Sequence, residues 1–442
     1  MNTIVFLPGI LGSSLSLNGD EVWPPTPTEA VFGYHRIPQL MDPGVVATGV
    51  IQNVVCYEVY KPICDDLTYI ASHTPWATRT DFFYDWRKDI KTVTAPLLAQ
   101  TLQNLVAGGA QSIALVCHSM GGLVARLVLE NDQYKAMPWM SAVKQFLGIC
   151  NPHHGAPQAL AEALGLVGTS GIDASDMPTL TSNSSYPAAY QNLPAPHYNR
   201  LRKQPGNVPL NVYDNTVASQ FGLNPQNTSA AMAAFSAMDM SKKPATVEYH
   251  LFAGNAQTTL EQINVTGSVF SMADDAAGDG TVPLWSAAPG PIPAFVTAGD
   301  HLGVMKTGPF RNQLYKILTG EQLMARSFAA RPVVTISLNK LVYAPGEQMT
   351  VLIIPDTRAH ELTGKLQITR ATDAKATAFA QHGAEFSVHY AGAPVPHLAP
   401  MHIRAPQEIG AYRLTFDGNH ATTDVTSAAF VVSRTGGFRS SR

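Results

Sequence analysis

The chain has 442 residues, of which 45% are hydrophobic and only 14% are charged. A chain of this length is expected to form two domains, and its apolar content can fill a large core. The formal net charge is −3 and the basic residues form no cluster, which argues against a nucleic-acid partner and leaves weak electrostatic attraction to anionic membranes. Peripheral contact with a membrane would therefore be hydrophobic.

The cysteines and the N-terminus indicate what to expect of metal sites, disulfides and targeting segments. Cys56, Cys64, Cys117 and Cys150 contain no C-x-x-C pair, so we expect neither a metal site nor a disulfide framework, although a bridge between the first two stays open. No cofactor is expected. The N-terminus lacks the basic region of a signal peptide, and no run reaches the ~20 apolar residues of a membrane span. We expect a cytoplasmic protein, one exported without a leader, or a chain whose leader was removed.

The first β-run, at 3–7, breaks at Pro8-Gly9 and leads into Ile10 and Leu11. This pattern indicates either a plain turn or a loop whose backbone amides bind an anion. After it, strand-like and helix-like patterns alternate, which predicts parallel β-α-β units. The predicted strands are 53–60, 79–84, 112–117 and 145–150, and the predicted helices are 62–72, 92–106 and 121–131.

The loop 84–87 (YDWR) follows a predicted strand, where loops of such sheets carry ligands. Trp86 is therefore a candidate substrate contact. Two simpler interpretations compete: Trp86 covers the core, and Asp85 with Arg87 forms a local polar pair. Trp23 is similarly placed in a loop over the site.

The stretch 115–126 (LVCHSMGGLVAR) takes an apolar strand into a serine and then directly into a small-residue helix. This is the pattern of a nucleophile elbow, in which a sharp turn exposes the serine hydroxyl above the sheet. The nucleophile is then Ser119, close to the amides of a helix N-terminus. Cys117 stands where the G-x-S-x-G pattern has glycine.

A serine nucleophile needs a general base and an orienting carboxylate, which follow it in the order acid, then histidine, on an α/β-hydrolase sheet. We choose His301 as the base because it follows a strand-like run and a carboxylate-bearing turn. The acid is Asp279, since glycines on both sides allow a tight inward turn. The rejected histidines are His153, His154, His197 and His250. The rival acids are Asp274, Asp275 and Asp300.

The oxyanion of a tetrahedral intermediate needs backbone N–H donors. The amide of Met120, directly after the serine, is the first predicted donor. The second is the Ile10 amide in the early loop, with Leu11 as the runner-up and also as a predicted substrate contact.

From about 156 to 245 the sequence is rich in Ser, Asn, Pro and Ala and carries short helical patterns, one at 230–240. We interpret this segment as a helical cap over Ser119, after which a strand at 247–253 resumes the sheet. Met232, Met238 and Met240 either line an acyl groove, as adaptable apolar side chains do, or simply fill the cap.

The last part of the chain is predicted to be all-β. After a helix at 310–318, seven short alternating runs with turn signals indicate an immunoglobulin-like β-sandwich. They lie at 333–338, 349–354, 365–370, 386–390, 401–404, 412–416 and 428–433. We therefore divide the chain into an α/β-hydrolase domain at 1–325, an accessory sandwich at 326–434 and a disordered tail at 435–442.

Five motifs together resemble the lecithin:cholesterol acyltransferase group. They are PGILGS at 8–13, YDWR at 84–87, HSMGG at 118–122, GDGTVP at 278–283 and HL at 301–302. The resemblance covers about residues 1–320 and implies an α/β-hydrolase with a cap that cleaves or transfers acyl esters of glycerophospholipids. Ser119, Asp279 and His301 match the family's triad, and Ile10 with Met120 match its oxyanion pair. NPHHG at 151–155 departs from the family's usual Thr-Pro-x-x-Gly, and the family's lid disulfide has no clear match.

These observations predict a serine acyl-ester hydrolase of the phospholipase A type, with acyl transfer as a further activity. A neutral-lipid lipase or esterase is the nearest alternative. In a third interpretation the chain is a delivered, membrane-damaging bacterial effector whose C-terminal sandwich docks a partner protein.

Overall fold

An all-parallel sheet of six strands forms the centre of the structure, a computed structural model that describes residues 2–72, 75–275, 277–321, 334–373, 375–418 and 426–434. In spatial order its strands are Ala294–Ala298, Glu248–Asn255, Val143–Ile149, Ser112–His118, Asn2–Leu7 and Thr78–Asp81. Because all six run in the same direction, their carboxyl ends meet at one edge of the sheet. Parallel sheets are covered on both faces, and here one apolar core lies on each side.

Four longer helices accompany the sheet: Lys61–Ala71, Ala95–Ala107, Met120–Glu130 and Gly308–Thr319. All four overlap the predicted ones. The predicted strand at 53–60 is wrong: Asn53–Val54 and Tyr57–Glu58 form a small separate hairpin, because Val55 takes a positive φ of 54° and turns the chain. None of the described helices has the length and apolarity needed to cross a membrane.

A separate three-stranded sheet and several short helices lie near the start of the chain. The strands are Ser13–Leu17, Asp20–Trp23 and Val46–Val50, and the helices are Pro27–Phe32 and Ile37–Leu40. A π-helical turn, Ile90–Thr94, leads into Ala95–Ala107, and Leu284–Ala287 precedes the last sheet strand.

The segment predicted as a cap contains short helices and also strands. Its helices are Pro157–Ala163, Met177–Thr181, Asn215–Gln220 and Pro225–Ser236. A four-stranded sheet accompanies them, in the order Val208–Leu210, Leu201–Lys203, Thr259–Thr266 and Val269–Asp275. The last two strands form a hairpin that was not predicted. The sequence signal that could have identified it was a glycine, Gly267, after an alternating apolar run. In the structure Gly267 takes a φ of +62° in the turn, and the run buries Leu260, Ile263 and Val265.

The region 334–434 contains two sheets, and all seven predicted runs overlap a strand. The three-stranded sheet consists of Val334–Leu338, Gln348–Pro355 and Met401–Arg404. The five-stranded sheet consists of Val342–Tyr343, Thr426–Val432, Gly410–Gly418, Ala359–Ala371 and Phe379–Val395. Strands of both sheets bury side chains in one shared core. The immunoglobulin-like assignment stays a prediction, and the predicted domain boundary and tail lie outside the described residues.

Candidate active site

Ser119 sits on a strained turn between the strand that ends at His118 and the helix that begins at Met120. Its φ is 52° and its ψ is −128°, a region that residues other than glycine rarely adopt. The Ser119 amide donates to the carbonyl of Ile149 on the adjacent strand at 2.9 Å. The turn therefore fixes this serine at the carboxyl edge of the central sheet.

Two glycines after Ser119 make this turn sterically feasible. A Cβ placed on Gly121 would lie 2.6 Å from the Pro8 carbonyl oxygen, and one on Gly122 would lie 2.1 Å from Cγ of Asn151. Cys117, which departs from the usual glycine, is fully buried opposite Gly148 on the neighbouring strand. The absence of a side chain at Gly148 makes room for Asn151, whose Oδ1 would lie 2.2 Å from a Cβ placed there.

Asn151 supports the turn in a way that sequence reasoning missed. Its Nδ2 donates to the carbonyls of Cys117 at 3.0 Å, Ser119 at 2.8 Å and Ile149 at 3.2 Å. The residue is fully buried. Its amide group therefore joins the strand Ser112–His118 and the turn after it to the strand Val143–Ile149. A polar residue directly after a buried strand was the signal that could have identified it.

Asp279 and His301, the predicted acid and base, lie together. Nδ1 of His301 is 2.8 Å from Oδ2 of Asp279, and the other carboxylate oxygen accepts the amides of Thr281 at 2.9 Å and Val282 at 2.7 Å. Asp279 is 1% exposed. Because the carboxylate only accepts, the Nδ1 of a neutral His301 carries the proton, and its Nε2 is left with the lone pair that a general base needs.

The rival carboxylates have other partners. Asp300 Oδ1 accepts the amides of Leu302 and Gly303, at 3.2 and 2.8 Å, and closes the loop that follows. Asp275 Oδ1 accepts the amide of Ala277 at 3.1 Å. Asp274 lies in the strand Val269–Asp275, where burial raises the pKa of its carboxyl.

Cys150 brings a thiol close to the Asp279–His301 pair. One donor atom from each of these three residues lies within 4.8 Å of the others. Burial, aided by the nearby carboxylate of Asp279, raises the pKa of the Cys150 thiol well above its usual range, so the sulfur stays protonated at neutral pH. All four cysteines are free, and the bridge left open between Cys56 and Cys64 does not form.

The predicted oxyanion donors lie at two backbone turns. Met120 is the first residue of its helix, so its N–H has no acceptor within that helix. Ile10 lies in the turn closed by the Gly12 amide and the Gly9 carbonyl at 3.1 Å. The hydrogen bond of such a turn leaves the N–H groups of its two central residues unused, and the positive φ of Leu11, 63°, is typical of a type II turn.

A hydrogen-bond chain that was not predicted connects the turn of Ile10, the predicted oxyanion donor, to His301. The Gly9 amide donates to Tyr60 Oη at 2.9 Å, Tyr60 Oη lies 2.8 Å from His118 Nδ1, and His118 Nε2 lies 2.9 Å from the His301 carbonyl oxygen. Since that carbonyl can only accept, His118 is protonated on Nε2 and its Nδ1 accepts from the tyrosine. Burial and the neighbouring ring of His301 lower the pKa of His118 well below its usual range, which keeps this ring neutral.

A cavity of about 690 Å³ opens onto these groups. Ser119, Asp279 and His301 line it, as do Ile10 and Leu11. Further apolar lining comes from Ile172, Met177 and Leu180 of the cap segment. The methionines named from the sequence differ: Met232 is 41% exposed and Met238 packs into the core. Met177 and Met272 are the methionines among the described residues that line the cavity.

Trp86 also borders the cavity, although it is only 2% exposed. Its indole Nε1 donates to the Ser13 carbonyl at 3.2 Å, and its ring meets Trp23 edge-on at 5.4 Å. Arg87 is bound to Asp85 at 2.7 Å and lies over the ring of Tyr186. The polar pair therefore forms as anticipated, and a substrate contact by Trp86 stays a prediction.

Residues 50–187 match the family model described as lecithin:cholesterol acyltransferase. Among solved structures, the chain is similar to the product of the gene lin2722 from Listeria innocua, with 13% identity, 73% of this chain and 96% of that chain covered, and a TM-score of 0.31. Lipase B of Aspergillus fumigatus matches with 13% identity over 43% of this chain and 31% of its own, with a TM-score of 0.22. At such TM-scores these two likenesses carry no argument. No curated protein matches.

The central parallel sheet, its helices and the serine on a strand-to-helix turn define an α/β-hydrolase. The family match confirms the resemblance to the lecithin:cholesterol acyltransferase group that the motifs predicted. A lipid-ester hydrolase or acyltransferase is the class of enzyme that this match supports.

Proposed function

We propose that the protein is a serine hydrolase that cleaves acyl esters of glycerophospholipids and can transfer the acyl group to an alcohol. The observation that carries this proposal is the pairing of His301 with the buried Asp279 at 2.8 Å, in a cavity that Ser119 also lines. A histidine held in this tautomer beside a serine on a strained elbow is the arrangement that nucleophilic acyl transfer requires.

In the proposed mechanism, Nε2 of His301 takes the proton of Ser119 as the hydroxyl oxygen attacks the ester carbonyl. Asp279 stabilises the imidazolium that forms, and the amides of Ile10 and Met120 donate to the oxyanion. His301 then protonates the departing alcohol, which leaves an acyl group on Ser119. Water, or a second alcohol, releases this acyl group in the reverse sequence.

The phospholipid substrate is inferred from the family match and from the lining of the cavity. The apolar part of the lining suits an acyl chain, whereas the part contributed by the C-terminal β region includes polar groups suited to a head group. These polar lining residues are Asn339, Lys340, Glu347, Gln348, Thr350 and His402. Several of them already bond one another, since Lys340 pairs with Glu347 and Asn339 Oδ1 accepts the Thr350 amide at 2.9 Å. Our preference for phospholipid over triglyceride therefore rests on the family match. The cavity and family match give no support to the effector and docking interpretation, which stays a hypothesis from the sequence.

Fatty-acid release from vesicles of phosphatidylcholine and phosphatidylglycerol, measured beside release from a triglyceride emulsion, tests this proposal. We expect release that is selective for phospholipid and falls at least 1,000-fold in Ser119→Ala, because loss of the nucleophile removes the covalent route. Ser13→Ala serves as the matched control for removal of a buried hydroxyl, since Ser13 Oγ accepts the amide of Tyr84 at 3.2 Å.

Two results would contradict the proposal. Release that survives in Ser119→Ala would exclude Ser119 as the nucleophile. Release from triglyceride alone would retain the serine mechanism and replace the substrate class.

A further inference from the structure

Ser337, in the first strand of the C-terminal β region, contacts the catalytic part of the chain directly. Its hydroxyl oxygen accepts the amide of Asp300 at 2.8 Å and the Nε2 of Gln257 at 2.7 Å. The same hydroxyl donates to Oδ2 of Asp300 at 2.8 Å. One donated and two accepted hydrogen bonds use the full capacity of a serine hydroxyl, and the residue is fully buried.

One partner of Ser337 lies in the loop that carries the proposed base, and the other pairs with the loop that carries the proposed acid. Asp300 directly precedes His301. Gln257 forms a bridge with Asp279, and its amide donates to the Gly278 carbonyl at 3.1 Å. Ser337 therefore bonds both the residue that precedes the proposed base and the residue that bridges to the proposed acid.

The chain after Ser337 stays in contact with the same loops. A Cβ placed on Gly280 would lie 2.6 Å from the Asn339 carbonyl oxygen, and Gly280 has a φ of +87°. The backbone of the C-terminal β region thus lies directly against the residue that follows Asp279. Leu338 and Asn339 then continue along the wall of the cavity that holds Ser119.

We propose that Ser337 is a positioning residue that holds the Asp279 and His301 loops in their mutual geometry, so that the C-terminal β region is an integral part of the active site. The inference rests on the proposed roles of Asp279 and His301. It replaces the expectation of an accessory sandwich with a direct structural role in catalysis. Ser337 itself touches no reacting atom, and its effect is transmitted through Asp300 and Gln257.

Loss of the Ser337 hydroxyl should affect turnover more than it affects substrate binding. A hydrogen bond between a histidine and a carboxylate weakens steeply with distance and angle, and misplacement of a reacting group by about 1 Å can cost on the order of 100-fold in rate. Ser337 lies behind the acid and base, so its loss leaves the apolar wall around Ser119 unchanged. We therefore expect a lower kcat at nearly constant KM.

The test uses the full-length chain with p-nitrophenyl butyrate as the probe substrate and a fluorophosphonate as the probe of Ser119 reactivity. We expect Ser337→Ala to lower kcat and the fluorophosphonate labelling rate by about 10- to 100-fold, with KM within about twofold of wild type. Ser337→Thr retains the hydroxyl and should recover most of the rate. Tyr412→Phe is the matched control, because it removes another buried hydroxyl from the same region, one that donates to the Glu408 carbonyl at 2.7 Å.

The outcomes separate the inference from the function on which it rests. If Ser337→Ala keeps wild-type kcat while Ser119→Ala is inactive, the positioning role is wrong and the proposed function stands. If Tyr412→Phe loses kcat to the same extent, general destabilisation explains the loss and the inference is also wrong. If Ser119→Ala stays active, the proposed function itself fails.

A second variant keeps the test decisive if Ser337→Ala does not fold. Gln257→Met preserves the volume of the side chain and removes the hydrogen bond to Ser337 from the acid side alone. A fall in kcat at constant KM supports the positioning role, and an unchanged kcat overturns it.

Discussion

The two halves of the candidate site are held in place by different means. Ser119 is fixed by main-chain geometry: a strained φ, an amide bonded to the neighbouring strand, and glycines that allow close contact. Asp279 and His301 lie on loops that are joined by side-chain hydrogen bonds, some of them from Ser337 in the C-terminal β region. The turn of the proposed nucleophile is therefore held by the neighbouring strands of the sheet and by Asn151, whereas the proposed acid and base also depend on the C-terminal β region.

The largest expected effect comes from filling the space behind Ser119, the proposed nucleophile. Gly122→Ala places a methyl group where Asn151 lies, 2.1 Å from its Cγ, and should cost about 3 kcal/mol or more, because overpacking a rigid core forces the backbone to shift. Urea denaturation measures this loss. Gly49→Ala is the control, since no atom in the described part of the chain lies within 4 Å of its added Cβ. Equal stability of the two variants would show that the nucleophile half tolerates main-chain displacement.

Asn151→Leu tests the same half through hydrogen bonding. It leaves three buried carbonyls without the Nδ2 donor, and we expect a loss of about 2–3 kcal/mol in the free energy of unfolding, together with loss of esterase activity. Asn104→Leu, on the exposed face of its helix, should change neither by much. A stable and fully active Asn151→Leu would contradict the assigned role of the side chain.

Tyr60→Phe tests the connection between the halves. The change removes the hydroxyl that joins the Gly9 amide to His118, and through it to the His301 carbonyl. We expect kcat to fall about 10-fold and stability by about 1 kcal/mol, since one buried hydrogen-bonded link is lost on each side. Tyr213→Phe removes a buried hydroxyl in the cap, bonded to the Pro194 carbonyl at 3.0 Å, and should leave kcat unchanged. An unchanged kcat in both variants would make the two halves independent.

A further expected effect concerns pH. Burial and nearby Arg126 lower the pKa of His153 well below its usual range. The unfolded chain then binds a proton near pH 6.5 that the folded chain does not, so stability is present above that pH and falls as the pH drops towards the folded pKa, by up to ~1.4 kcal/mol per pH unit.

His153→Leu checks this contribution. Both ring nitrogens of His153 lack a hydrogen-bond partner within the described part of the chain, so leucine loses little there. The variant should lose less stability than wild type between pH 7 and pH 5, as measured by urea midpoints. Identical slopes would mean that His153 is not held neutral in the fold.

The sequence predicted what is local and missed what is long-range. A strand, a serine and a glycine-rich helix start are adjacent in sequence, so the elbow at Ser119 could be recognised, and glycines on both sides of Asp279 marked its turn. The partners of Ser337 are 37 and 80 residues away in sequence, and no pattern within the strand 334–338 distinguishes that serine from any other polar residue in an alternating run. The hydrogen bond between Tyr60 and His118 joins residues 58 positions apart, and no sequence pattern predicts it either.

The hairpin formed by Thr259–Thr266 and Val269–Asp275 ends four residues before Asp279 and belongs to the same sheet as the cap strands Leu201–Lys203 and Val208–Leu210. Leu260 and Met272 of this hairpin line the cavity, and Thr259 Oγ1 accepts the amide of Gly280, the residue after the proposed acid, at 2.9 Å. A displacement of the hairpin would therefore reach the turn that carries the Asp279 carboxylate, so the wall that meets the substrate and the proposed acid share one support.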